Sequence, residues 1–387
     1  MSKRIILIGL LVLLFAPLWA QYSESPYLLD NIRLQFEVTD GVNNLYNFEF
    51  AKAEKEFNYI RFRYPNHPLP YFLLGLSNWW KIAPNVDDKS FDKPFLAYMD
   101  TVIDKAEKMF DANENDIEAA FFLAAAYGFK GRLLSERSSW TSAAWAGKNS
   151  LQYLKVSRDQ GSISPEFVFG DALFNYYAIW IPENYPYLKP LVNMFPEGNK
   201  EKGLEQLIYV SNNTFYTRTE AQAFLMRIYA DEGQNAKALQ VSGYLAETFP
   251  DNPYFARYYA RLLYMNGRYR DSERVSLDII QKIDSGQYGY EATSGRYAAF
   301  FLGQIYEAYQ QYDLAKQYYI RAVSFGEEIE AQETGYYLYS LLHLGMISEK
   351  QKDTEAAKKY YKLVKKYAKR KHPAHEKANA YLKSKNL

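Results

Sequence analysis

An internal repeat constrains this chain more than anything else in it. Leu225-Met226-Arg227-Ile228-Tyr229 aligns with Tyr259-Ala260-Arg261-Leu262-Leu263, setting Gly233 against Gly267 and Ala238 against Ser272, each pair 34 residues apart. Two further segments keep the same internal spacing: Leu302-Gly303, Tyr306, Tyr312, Ala315, Tyr319, Ala322, and then Leu344-Gly345, Ser348, Thr354, Ala357, Tyr361, Val364. These two lie 42 residues apart, and the extra eight fit a longer second helix or linker at 283–290 and 325–333. A fixed period of this length marks a stack of small supersecondary units, none of which buries its apolar face alone.

Each unit reads as a helix pair. Apolar residues recur at spacings of three, four and seven, the signature of an amphipathic helix, and no period-two strand pattern intervenes. Small residues at Gly75, Ala260, Gly303 and Gly345 let a partner helix approach closely. Gly233, Gly267 and Asp313 are expected to end the first helix of a pair, while Pro65, Pro250 and Pro253 punctuate the second. Upstream the pattern continues more loosely, through Ala53, Phe57, Ile60 and Pro65, then Tyr71, Leu74 and Gly75, then Leu123, Ala124, Tyr127 and Gly131.

These units resemble the tetratricopeptide repeat family, whose pattern sets Leu-Gly and Tyr on one helix, Ala and an aromatic residue on the next, then Pro. The match is good over 217–370 and looser before it. It departs from the family where Tyr71, Ala221, Ala256, Ala299 and Leu341 replace the opening Trp, and where the last two units lack Pro. The resemblance implies an all-α, right-handed superhelical solenoid of helix pairs with a concave binding groove. The expected organisation is a leader at 1–20, degenerate helix pairs at 21–131, a helical segment with a Pro- and aromatic-rich crossover at 132–216, and four repeat units with a basic terminal helix at 217–387.

The crossover centres on Trp180-Ile181-Pro182-Glu183-Asn184-Tyr185-Pro186-Tyr187-Leu188-Lys189-Pro190 and Phe195-Pro196-Glu197-Gly198, which the prolines keep from forming one continuous helix. A helix from Glu166 to Trp180 should precede it, started by Ser164-Pro165. Another should follow from about Asn199, carrying Leu204 and Leu207. The segment fills the gap between two halves of the solenoid, with a lid or docking loop as the functional alternative.

At the N-terminus, Lys3 and Arg4 precede an apolar run from Ile5 to Phe15 and then Ala16-Pro17-Leu18-Trp19-Ala20-Gln21. That order is a secretory signal peptide, and the run is short of the roughly 20 residues a spanning helix needs. Cleavage after Ala20 leaves Gln21 first; retention would make the leader an anchor. Either way the chain is expected to be exported, to the periplasm or the outer-membrane periphery of a bacterium. With no Cys in the chain there is neither a lipid-attachment cysteine nor a disulfide framework. Removing Lys3 and Arg4 from the 46 basic residues leaves 44 against 45 acidic ones, a net charge of −1, which gives no general attraction to nucleic acid.

No catalytic constellation emerges. The histidines are His67, His343, His372 and His375, and only the last two are neighbours, with Pro373 between them. There is no phosphate loop, nucleophile elbow or dinucleotide fingerprint. The expectation is therefore no enzyme, no cofactor and no metal.

Binding residues follow from the helix register. Steps of three and four project Arg227, Tyr254, Arg257, Arg261, Tyr264, Tyr297, Gln304, Glu307, Tyr339 and Glu349 onto the inner face, the charges toward solvent. The row is aromatic throughout, cationic in the middle and acidic toward the C-terminus, which suits an extended peptide or a partner's acidic terminus. Secondary candidates are Trp79 and Trp80, which could stack on a sugar face or hold a partner; the alternative is that at least one is core and the second shields the insertion from Ala83 to Pro94. The basic helix carrying Lys362 and Lys366 is the other, able to touch anionic lipid or cap the last repeat. Together these imply a non-enzymatic scaffold or adaptor of the cell envelope whose partners are other envelope proteins or peptide segments. The alternative is a glycan-binding accessory protein, motivated by 37 Tyr and 24 Phe, and behind it an enzyme with an unrecognised site.

Overall fold

The computed structural model describes residues 26–158 and 160–384; the leader lies outside them. The described residues hold no strand and nineteen α-helices. The first seven are α1 (Ile32–Glu37), α2 (Thr39–Tyr46), α3 (Phe50–Arg63), α4 (Pro68–Ile82), α5 (Asp92–Ala112), α6 (Ile117–Glu136) and α7 (Trp140–Ser157). The crossover contributes α8 (Val168–Asn184), α9 (Lys189–Val192) and α10 (Lys200–Asn213). The regular repeats are α11 (Arg218–Asp231), α12 (Asn235–Thr248), α13 (Pro253–Met265), α14 (Tyr269–Asp284), α15 (Ala292–Ala308), α16 (Tyr312–Glu328), α17 (Gly335–Lys350), α18 (Thr354–Tyr367) and α19 (Pro373–Ser384). No described helix is long and apolar enough to cross a membrane.

Local chemistry sets the boundaries. Asn252 caps α13 by accepting from Tyr254 N and Phe255 N, with Pro253 at the first helical position where its missing N–H costs nothing. Gly233 and Gly267 end α11 and α13 in the left-handed region, each at φ 73°. In the next unit that role falls to Gln310 (φ 62°) and not to Asp313, which sits in the first turn of α16. A non-glycine residue there gives up roughly 1–2 kcal/mol. In the crossover, Ser164 accepts from Glu166 N ahead of a 3-10 turn, and Asn199 caps α10 through Lys202 N. The break after α8 comes at Tyr185, later than Trp180, because Pro182 is accommodated in the helix's last turn.

Helices pack on their successors in turn, with α10 packing on α8 past the short α9, and alternate helices pack also on the one after: α2 on α4, α4 on α6, α6 on α8, α13 on α15, α15 on α17, α17 on α19. That second contact identifies an inner row, since on a curved array only helices at the smaller radius come close to their second neighbours. Small residues permit the approach. A Cβ on Gly303 would stand 2.6 Å from the Tyr319 ring, and one on Gly345 2.9 Å from Tyr361.

The N-terminal pairs then return to the repeats. Asn252 Nδ2 donates to Tyr46 O at 2.8 Å, Asp251 N to Asn47 Oδ1 at 3.0 Å, and Arg257 Nη1 to Pro84 O at 2.6 Å, across 206, 204 and 173 residues of sequence. Trp80 stacks edge-on to Phe255 at 5.2 Å, and Phe48 abuts Gly289. One hydrophobic core accordingly runs from Leu29 to Leu262, and smaller clusters carry the packing to the C-terminus. In this half the axis of the array is filled by side chains.

Buried carboxylates pin the irregular segments. Glu118 accepts from Leu28 N and Leu29 N at 3.1 and 2.7 Å. Glu166 accepts from the backbone of Phe215, Tyr216 and Thr217 and from the Thr217 hydroxyl, at 2.6 to 3.0 Å. Burial pushes the Glu166 carboxyl above its ordinary range, against the pull of those four bonds. Such satisfaction is what lets a carboxylate stay buried.

Candidate partner-binding surface

Closure of the array divides the projected inner face in two. Arg227, Tyr254 and Arg257 lie in the closed part. Arg257 is only 6% exposed, with its guanidinium 5.0 Å from the Tyr254 ring and 5.6 Å from the Tyr297 ring as well as bonded to Pro84. The expectation that it faces solvent therefore does not hold, because the loop after α4 covers it. Arg227 is half-buried beside Tyr254, Tyr177 and Tyr258. Facing it, Arg132 lies over the rings of Trp79 and Phe224 at 4.3 and 4.9 Å, its guanidinium pushed below its ordinary value by burial and then by Arg227.

The open part belongs to α13, α15 and α17. Arg261 is half-buried and makes no hydrogen bond or ion pair among the described residues. Tyr297 pairs with Tyr336 at 4.4 Å, and Phe300 meets the same ring at 5.1 Å. A chain of hydrogen bonds crosses the face from there: Tyr264 hydroxyl to Gln304 Oε1 at 3.4 Å, Gln304 Nε2 to Tyr319 hydroxyl at 2.6 Å, and Tyr319 hydroxyl to Glu307 Oε2 at 2.9 Å. His343 Nδ1 closes it, 2.7 Å from the same Glu307 oxygen. Burial would raise the Glu307 carboxyl, yet His343 and Tyr319 bring it below its ordinary range. Farther along, the Tyr339 ring is 5.6 Å from His372, and exposed Glu349 accepts from Tyr361 at 3.5 Å. Arg261, Tyr264, Tyr297, Gln304, Glu307 and Tyr339 thus form one half-buried surface, with Glu349 at its rim.

The secondary candidates separate cleanly. Trp79 and Trp80 are each 2% exposed, so both are core; Trp80 Nε1 donates to buried Glu220 Oε1 at 2.5 Å. Lys362 and Lys366 are exposed on α18, with Lys365, Lys369 and Arg370 beside them. His372 caps α19 by accepting from Ala374 N at 3.1 Å, and the described residues include no group of three or more metal-ligating side chains.

Several charged residues of the axis escaped prediction. Glu220 could have been noticed as a carboxylate four residues before Phe224 on an apolar helix face. Arg296 and Tyr336 flank predicted Tyr297 and the start of α17, yet only the fold brings them together, with guanidinium-to-ring distances of 5.7 and 6.0 Å for Arg296.

No family model matches the chain, and no curated protein matches it. Among solved structures, the chain is similar to yeast Tom70, at 13% identity and a TM-score of 0.39 over 98% of this chain and 78% of that one. It is also similar to the TPR domain of P58(IPK), at 14% identity and a TM-score of 0.22 over 91% of this chain and 99% of that one.

Proposed function

We propose that the protein is a non-enzymatic scaffold that holds a segment of another protein on the open inner face of α13, α15 and α17. The observation that supports this most directly is the row of half-buried aromatic side chains ending at Arg261, a guanidinium with no hydrogen bond or ion pair among the described residues. Aromatic area beside an unengaged arginine is the composition of interface hot spots. The carboxylates toward the C-terminal end, Glu307 within the face and Glu349 at its rim, give the groove a direction, so a bound segment would carry its acidic end toward Arg261. The leader at residues 1–20 supports export, and the reading extends to an envelope adaptor whose partners share that compartment.

The experiment is capture of native partners by the purified chain and by Arg261→Ala and Tyr297→Ala variants, with identification by mass spectrometry. A desolvated charge-assisted contact is worth about 1.5–3 kcal/mol, so Arg261→Ala should weaken capture at least about tenfold. Equal recovery with both variants would move the binding surface elsewhere. N-terminal sequencing of the protein from cells tests export: Gln21 as first residue supports it, and an intact Met1 in the inner membrane makes the leader an anchor.

A further inference from the structure

Charge is spread very unevenly along the chain. Residues 354–384 hold ten basic residues and two acidic ones, a net +8 in a sequence whose total is +1, so the remainder is net −7. The excess begins on α18, which carries Lys358, Lys359, Lys362, Lys365 and Lys366 against Glu355 alone. The equivalent second helices are mixed: α14 has three basic and four acidic residues, and α16 has two and three. A terminal repeat needs a polar outer face, but α14 and α16 show that both signs together supply one. Solvation of the last repeat therefore does not account for a single sign.

Local stabilisation does not account for it either. The helix dipole favours cations in the last turn, which covers Lys365 and Lys366 but not Lys358, Lys359 and Lys362 farther back. Lys362 stands one turn from Lys358 and one turn from Lys366, positions at which like charges repel. Ion pairs do not offset this. Among the described residues, only Lys369 of the ten makes one, to Glu333 at 3.8 Å with both side chains largely exposed. Lys365 donates instead to Asn379 Oδ1 at 2.9 Å. By contrast, Arg321 and Asp284 tie α16 to α14.

These cations share a face. Ala357, Tyr361 and Val364 are the buried side of α18, and steps of three and four set Lys359, Lys362 and Lys366 on the opposite side, all exposed. α18 belongs to the outer row, behind the half-buried face of α13, α15 and α17. No large apolar side chain after Ile320 is exposed among the described residues. Protein interfaces are enriched in aromatic residues and Arg and depleted in Lys, the reverse of this face. A compact ammonium on a flexible stem suits diffuse negative charge better than a single bidentate ligand, and clustered lysines on a helix fit anionic lipid headgroups.

We propose that the outer face of α18 docks the protein on an anionic lipid surface, with headgroup phosphates set against Lys359, Lys362 and Lys366. The attachment is electrostatic and reversible. It leaves the inner face of α13, α15 and α17 free, and it stands whether or not that face holds a segment.

The test is sedimentation of the full chain with vesicles of equal parts phosphatidylglycerol and phosphatidylcholine. Vesicles of phosphatidylcholine alone run beside them and register any binding through the apolar leader. The anionic vesicles are expected to bind more chain at low salt. That difference should vanish toward about 1 M salt, where the screening length contracts to about 3 Å from about 10 Å at 0.1 M. Lys359→Gln, Lys362→Gln and Lys366→Gln together should weaken anionic-vesicle binding at least about tenfold, one lysine alone being worth about fivefold. Thermal unfolding of that triple variant should match the wild type, since Gln and Lys have similar helix propensity. Equal binding to both kinds of vesicle, or equal binding of variant and wild type to the anionic ones, would overturn the proposal. Capture of duplex DNA or polyglutamate at a salt concentration where the vesicles stay bare would overturn it too, and assign the face to an acidic macromolecule.

Discussion

Two glycines in the inner row predict opposite outcomes for the same substitution. In α15, a Cβ on Gly303 would stand 2.6 Å from Cδ1 and Cε1 of Tyr319 and 2.9 Å from Cγ. Tyr319 cannot retreat, because its ring is fully buried and its hydroxyl is tied to Gln304 and Glu307. In α6, a Cβ on Gly128 would meet only Ser150 Oγ, at an ordinary 3.5 Å. Alanine gains about 1 kcal/mol over glycine in a helix interior, whereas forcing extra volume into a packed core costs about 1–3 kcal/mol. Gly128→Ala should therefore stabilise its surroundings by about 1 kcal/mol, while Gly303→Ala should fall about 1–3 kcal/mol below that gain. Because an array opens locally, the proper assay is amide hydrogen exchange, comparing α6 and α7 in the first variant with α15 and α16 in the second. Equal gains in protection at both sites would refute the claim that Gly303 sets the spacing of α15 and α16.

Other consequences follow from the buried charges. Glu307 sits below its ordinary value, so its contribution is present above about 4.5 and lost as pH falls through the depressed value; His343→Gln should shift acid loss of helicity in the C-terminal repeats to higher pH. For Glu220 the sign reverses: burial raises its value, opposed by Arg132, Trp80 and Tyr46, so stability declines as pH rises through the raised value. Trp80→Phe removes the indole donor and should cost about 1–3 kcal/mol, more at pH 8 than at pH 5, as measured by urea unfolding. Arg257→Ala should lower the unfolding midpoint and Arg261→Ala should not; a matching loss in both would mean that Arg261 too is built into the packing.

Helix pairs were legible because their signals are local. Gly75, Gly303 and Gly345 announced close approach from composition alone, and Asn199 and Ser164-Pro165 marked helix starts within a residue or two. Gln310 was not legible as a left-handed terminus, since that conformation is imposed by neighbours and not by its own side chain. The same limit explains the groove. Register placed Tyr254, Arg257 and Arg261 on one helix face, which is a property of three or four residues. Which of them stays open depends on Tyr46, Trp80 and Pro84, some 170 to 206 residues earlier. No periodicity encodes that return.

Closure also changes what the inner face can do. A solenoid whose axis is open offers every repeat to a ligand, and each contact adds independently. Here the axis between α2 and α13 is occupied by Tyr46, Trp80, Arg132 and Glu220, so in the first half the inner face is filled by side chains and the half-buried inner face lies on the later helices. Tyr297 stands at the boundary, touching buried Arg257 on one side and Tyr336 on the other. A segment laid on the Tyr297 ring would therefore rest on a side chain backed by the buried Arg257 guanidinium 5.6 Å away.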